Sequence, residues 1–197
     1  EIEAVTGVQT CALPIYGLVG TELFGKKFGI IGTGAIGLRV AEIAKAFGCE
    51  ILAYSRSKKA KAIELGVKYV DLDTLLKECD IVSLHVPLNN STINLIDEKK
   101  LALLKTSAIL INAARGPIVD ESALAKALNE GKIAGAGIDV FKNEPPISVL
   151  NPLVKAKNVI LTPHVGFATD EALYNRLEIT IENIYQWIKG TPENLIK

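Results

Sequence analysis

The sequence predicts an α/β domain, a doubly wound parallel sheet covered by helices on both faces, with a terminal helix that docks elsewhere. Three observations carry this. Short apolar runs alternate with stretches of helical period along nearly the whole chain, the pattern of repeated βα units. A glycine-rich turn, Gly32-Thr-Gly34-Ala-Ile-Gly37, falls between the first apolar run and the first helical stretch. Finally, 49% of the 197 residues are apolar, enough for one large core.

Taken in order, Lys27–Ile31 reads as a first strand and Ala35–Phe47 as a helix, with Ile36, Val40, Ile43 and Phe47 sharing one face. Gly48 stops that helix. Glu50–Tyr54 is a second strand, Lys58–Leu65 a short helix and Lys68–Val70 a short third strand. Leu72–Lys77 is a brief helix before a fourth strand at Asp80–Leu84. A polar loop leads to a helix around Asp97–Leu104 and a fifth strand, Ala108–Asn112. Asp120 caps a helix that runs to Asn129, and Ala134–Val140 makes a sixth strand. A seventh strand, Val159–Leu161, precedes a long helix from about Ala168 to Lys189.

Charge narrows the classes of partner. Lys plus Arg and Asp plus Glu number 22 each, without runs of one sign, so nothing points to nucleic acid or an anionic membrane surface. Charged residues break every apolar stretch before the length a spanning helix needs. Cys11, Cys49 and Cys79 show no metal or redox spacing, and the two histidines lie in different segments, so no metal site and a reducing, cytoplasmic setting are expected. Cys49 and Cys79 read as small buried residues. The chain holds no Met and opens at Glu1, which reads as an internal piece of a longer protein. Val5–Ile15 resembles a translated sequencing adapter; residues 1–15 are therefore set aside as an assembly artefact, the alternative being a short strand and turn.

The glycine turn has the context of a dinucleotide fingerprint, because it follows a strand and opens a helix. Gly32 allows the tight turn, Gly34 lets backbone approach a pyrophosphate, and Gly37 lets helix and strand pack closely, with Ala35 and Ile36 starting the helix whose amides face the phosphates. The residue that reads the ribose belongs at the end of the second strand. There an NAD-selective site carries Asp or Glu, but this chain has Ser55 followed by Arg56. A guanidinium suits a 2′-phosphate, so the expected cofactor is NAD(P)(H) with a lean toward NADP(H). The alternative is that Arg56 and Lys58 are solvated surface charges.

From Tyr16 onward the chain resembles the cofactor-binding part of D-isomer-specific 2-hydroxyacid dehydrogenases. The phrases that carry the likeness are Gly29–Gly37, His85-Val-Pro-Leu88, Ile111–Asp120, Gly137–Pro145 and Leu161–Gly166. The resemblance implies a Rossmann-type domain over residues 16–166, with residues 167–197 forming a helix and tail of a truncated substrate domain. It implies catalytic roles for Arg115, Glu144 and His164, a nicotinamide-orienting role for Asp139, and a cofactor pocket that includes Pro87, Ala113 and Gly166. The implied activity is an oxidoreductase of D-2-hydroxy acids and 2-oxo acids, such as glycerate with hydroxypyruvate or 3-phosphoglycerate. The intact parent is expected to be a homodimer and the piece itself inactive.

The chemistry of the side chains agrees with the resemblance. A guanidinium at Arg115 can hold a carboxylate and polarise the adjacent oxygen, an imidazole at His164 can exchange the hydroxyl proton, and Glu144 beside it favours the protonated ring. Outside that pattern, Arg115 would read as a surface charge and His164 as a loop histidine. His85 reads as lining a wall rather than transferring a proton. The terminal helix carries Leu173, Leu177, Ile181, Ile184 and Trp187 on an apolar face toward the partner domain. Two alternatives stay open: a cofactor-sensing protein similar to the corepressors of this fold, and a formate dehydrogenase, against which Glu144 argues because those enzymes resemble the pattern with Gln there.

Overall fold

The computed structural model describes residues 20–195; the segment set aside above, with Cys11, lies outside them. The elements are β1 (Lys27–Ile31), α1 (Ala35–Ala46), β2 (Glu50–Tyr54), α2 (Ala60–Glu64), β3 (Lys68–Tyr69), α3 (Leu72–Glu78), β4 (Ile81–Leu84), α4 (Glu98–Leu101), β5 (Ile109–Asn112), α5 (Glu121–Asn129), β6 (Gly135–Ile138), β7 (Val159–Leu161) and α6 (Asp170–Ile188). All seven strands are parallel, in the order β3-β2-β1-β4-β5-β6-β7. This is the doubly wound Rossmann-type sheet, whose order reverses between β1 and β4 and so opens a crevice at their carboxyl ends.

Side-chain alternation divides the core. Ile30, Ile51 and Ala53 point to one face and pack with Ala41 and Ala44 of α1 and Ala62 of α2. Ile31, Leu52, Val82, Leu84 and Leu110 point to the other, beneath Leu75, Leu76, Leu124 and Leu128. Three acidic caps fix where helices start after the strands. Asp71 accepts from the Thr74 amide, Asp97 from that of Lys100, and Asp120 from those of Ser122 and Ala123, as its sequence position predicts.

The structure corrects one expectation. Ile36, Ile43 and Phe47 of the predicted apolar face of α1 are exposed, and Gly37, Ala41 and Ala44 form the buried face. The helix lies too close to the sheet for anything larger: a Cβ on Gly37 would come within 2.0 Å of the Gly32 carbonyl oxygen. Most segments are also a residue or more shorter than predicted, with α2, α4 and β6 each losing three or more to the bounds given above. Two 3₁₀ turns, Gly116–Ile118 and Pro152–Lys155, were not anticipated.

The α6 helix buries no side chain, and its Leu173, Leu177, Ile181, Ile184 and Trp187 are all exposed. Among the described residues, no helix is long and apolar enough to cross a membrane.

Candidate active site

The glycine turn sits where β1 ends. Gly32 adopts φ +99°, donates its amide to the Tyr54 carbonyl (2.8 Å), and has the His85 backbone where a Cβ would project. Open space lies over Gly34, and the first turn of α1 has no side-chain cap. Unpaired amides at a helix start, approached over a bare glycine, fit a pyrophosphate. A nicotinamide dinucleotide therefore fits the residues present.

Two clefts run side by side from this turn. One, of about 260 Å³, is lined by Gly32, Thr33, Gly34, Tyr54, Ser55, Arg56 and the segment His85–Pro87. The other, of about 390 Å³, shares His85–Pro87 and continues along Ile36, Ala113, Ala114 and Arg115. Ser55 and Arg56 thus lie at one end of a trough and Arg115 at the other. His85 forms the ridge between the clefts; its Nε2 is 2.9 Å from Ser83 Oγ, and burial pushes its imidazole below the ordinary range.

Arg115 follows β5 in a turn stapled by Asn112, whose Nδ2 donates to the Arg115 carbonyl (3.0 Å) and whose Oδ1 accepts from the Ala114 amide (3.1 Å). The guanidinium donates from Nη1 to the Ala114 carbonyl (2.6 Å), within its own turn, rather than to the other predicted catalytic residues. Gly116 presses this turn onto the loop after β6, since a Cβ there would fall 2.0 Å from the Phe141 carbonyl carbon. In that loop Glu144 Oε2 accepts from the Phe141 amide (2.9 Å) and Glu121 from that of Lys142 (2.6 Å).

Glu144 spends its other oxygen on His164, with Oε1 2.7 Å from Nδ1. That pairing leaves Nε2 as the ring nitrogen available to a substrate. His164 stands at φ +55°, a left-handed conformation that costs a non-glycine residue on the order of 1–3 kcal/mol. Asp139 holds the loop in that shape: it accepts from Thr162 Oγ1 and from the Val165 and Gly166 amides (2.9 Å each). Burial would raise the Asp139 carboxyl, but those hydrogen bonds, with His164 nearby, hold it below the usual carboxylate range.

The structure therefore gathers the predicted residues into three groups: the glycine turn with Ser55 and Arg56, the Arg115 turn, and the loop after β7 in which Asp139 and Gly166 meet and His164 pairs with Glu144. Asn112, Thr162 and Glu121 were not singled out from the sequence. Asn112 did leave a signal, a polar residue closing the apolar run Ile109–Ile111. Cys49 and Cys79 are buried free thiols, and burial pushes Cys79 up to about 12. Among the described residues no three His, Cys, Asp or Glu side chains converge as a metal site would require.

Residues 15–166 match the family model of the D-isomer specific 2-hydroxyacid dehydrogenase, NAD binding domain. The chain belongs to this dehydrogenase family. A glyoxylate reductase of Thermococcus litoralis is 51% identical over 180 residues, 90% of this chain and 54% of the relative. A hydroxypyruvate reductase of Blautia hydrogenotrophica is 41% identical over 175 residues, 89% and 54% of the two chains. Among solved dehydrogenases, an NAD-complexed D-isomer specific 2-hydroxyacid dehydrogenase from Lactobacillus delbrueckii superposes with a TM-score of 0.83 at 39% identity, covering 92% of this chain and 58% of that one. An acyclic imino acid reductase in complex with NADPH and D-Arg gives 0.83 at 35%, covering 92% and 57%. The chain spans about half the length of the curated relatives it matches.

Proposed function

We propose that this chain supplies the nicotinamide-binding and catalytic part of an oxidoreductase that interconverts D-2-hydroxy acids and 2-oxo acids. The observation that carries the reading is the His164–Glu144 pair, 2.7 Å apart at the carboxyl end of β7 and packed through Phe141 onto the Arg115 turn. In this reading Arg115 binds the substrate carboxylate and polarises the oxygen on C2. His164 Nε2 gives a proton to that oxygen during reduction and takes it back during oxidation. Glu144 fixes the ring by accepting from Nδ1 and stabilises the imidazolium. The cofactor, when bound, supplies or accepts the hydride. Asp139 shapes the loop that carries His164 and stands at the nicotinamide end.

Small 2-oxo acids, glyoxylate and hydroxypyruvate, are the substrates we propose, on the strength of the relatives named for them; 3-phosphoglycerate is the second choice, by resemblance. The relatives named above are reductases and dehydrogenases, and none supports the corepressor alternative. For the cofactor we propose acceptance of both forms with a lean toward NADPH, supported by Ser55 and Arg56 lining the cleft beside the glycine turn. A charge-assisted contact from Arg56 to a 2′-phosphate is worth about 1.5–3 kcal/mol, roughly ten- to a hundredfold in affinity.

The test is kcat/KM of the full-length gene product for NADPH and NADH with glyoxylate and hydroxypyruvate. Ser55→Asp should turn the ratio toward NADH, and Arg56→Ala should weaken NADPH alone. No turnover of either oxo acid ends the substrate reading; a wild-type preference for NADH above tenfold that Arg56→Ala leaves unchanged ends the cofactor reading.

A further inference from the structure

One hydroxyl ties together the two walls of the adenosine-end cleft. Tyr69 ends β3, and its Oη accepts from the Lys59 amide (3.0 Å) and donates to Thr33 Oγ1 (3.0 Å). Thr33 is the buried residue between Gly32 and Gly34, and its Oγ1 donates to the Ser57 carbonyl (3.5 Å). The chain of donors leaves the loop after β2 at Lys59, passes through Tyr69 and the glycine turn, and returns to the same loop at Ser57. Every donor in it points the same way round, so each bond polarises the next. The same loop carries Ser55 and Arg56, and Lys58 Nζ lies 6.0 Å from the centre of the Tyr69 ring.

Ring and hydroxyl do separate jobs here. The ring packs against the core that includes Ala53, Ala62 and Val67, as a tyrosine on a short edge strand would in any case. Packing does not require the hydroxyl, which has exchanged water for two partners on segments 36 and 10 residues away. What the hydroxyl fixes is the spacing between the turn that meets the pyrophosphate and the loop that meets the ribose.

We propose that Tyr69 is a positioning residue for the cofactor, its hydroxyl clamping the glycine turn to the loop 55–59 so that both engage the adenosine half of the dinucleotide together. The assignment rests on the reading of this cleft as the adenosine site. It predicts that losing the hydroxyl weakens binding of any adenine nucleotide, and of one with a 2′-phosphate most, because Arg56 and Lys58 ride on the clamped loop.

The experiment is calorimetric titration of the chain with 5′-ADP and with adenosine 2′,5′-bisphosphate, probes that occupy only this end. Tyr69→Phe, which keeps the ring, should weaken 5′-ADP by about 2- to 10-fold, the range for one net hydrogen bond, and the 2′,5′-bisphosphate by more. Thr33→Val should do the same, and the double variant should lose little beyond either single one, as expected for two ends of one bridge. Thermal unfolding of each variant is the control, since a purely structural tyrosine would lower Tm and leave both affinities unchanged. Affinities within twofold of wild type in Tyr69→Phe, or strictly additive losses in the double variant, would overturn the assignment. A wild type without preference for the 2′-phosphate overturns the NADPH lean but leaves Tyr69 to be judged on 5′-ADP; a wild type that binds neither probe overturns both.

Discussion

Between β1 and β4 helices close the sheet on both faces, whereas from β5 to β7 none of the described residues covers the face on the α1 side. The register makes the contrast exact in position: Phe28, Ile81, Ile109 and Gly135 lie in one row across the sheet, and Ile30, Ser83, Ile111, Gly137 and Ile160 in another. Ile30 is fully buried beneath α1, but Ile109 is 42% and Ile160 74% exposed. Yet the open half carries Arg115, Glu144 and His164. Their loops are fixed by side chains hydrogen-bonded to backbone, Asn112 and Glu144 within their own turns and Glu121 and Asp139 across more than twenty residues, in addition to the burial of Ile118 and Phe141. Burial is non-directional and suits a scaffold, while hydrogen bonds fix direction and suit groups that must aim at a reacting atom.

If the polar half serves aim rather than stability, His164→Gln should cost activity without unfolding the chain. The expected loss is about 10²–10⁴ in kcat for 2-oxo acid reduction, the usual worth of a positioned acid–base group. Steady-state kinetics of the full-length gene product beside a thermal melt checks this. A fall below tenfold would remove His164 from proton transfer. Glu144→Gln should lose less, because the amide oxygen can still accept from Nδ1 and hold the ring in place.

Apolar truncation should divide the two halves most cleanly. Leu84→Ala in β4, fully buried, should destabilise by about 2–5 kcal/mol, while Ile160→Ala in β7 should stay within about 0.5 kcal/mol in urea unfolding. Equal costs at the two positions would mean that the face over Ile160 is covered when the chain is in solution.

Gly116→Ala tests the join between the Arg115 turn and the loop after β6. The methyl would meet backbone that cannot swing aside, so a loss of about 1–3 kcal/mol is expected, with a weaker hold on substrate carboxylate seen as a raised KM.

The smallest effect is expected at Asp139. Its folded carboxyl lies below the ordinary value of 3.8, so the stability it adds is present above about pH 4 and is lost as pH falls through its folded value. Asp139→Asn should lower Tm by about 2–4 °C at pH 7, the shift that one hydrogen bond's worth of stability produces in a chain this size, with the gap to wild type narrowing as pH falls below about 4. A gap that does not narrow as the pH is lowered would assign the loss to shape rather than charge.

Strand and helix alternation was legible in the residues, and with it the parallel sheet and the crevice at its carboxyl ends, because both periods are local and apolar runs report them directly. The glycine turn was legible for the same reason, as was the position of Arg115, Asp139 and His164 after strand-like runs, whereas the roles expected of Arg115, Glu144 and His164 came from the family resemblance alone. Which face of α1 meets the sheet was not. Ile36, Val40, Ile43 and Phe47 form as good a helical stripe as Gly37, Ala41 and Ala44, and only the approach of Gly37 to the Gly32 carbonyl decides between them. Nor could the Tyr69–Thr33 bridge, the Asp139 clamp on Val165 and Gly166, or the left-handed turn at His164 be read along the chain. Each joins segments more than twenty residues apart or is imposed by such a join, so its partner exists only once the sheet has brought those segments to the same edge.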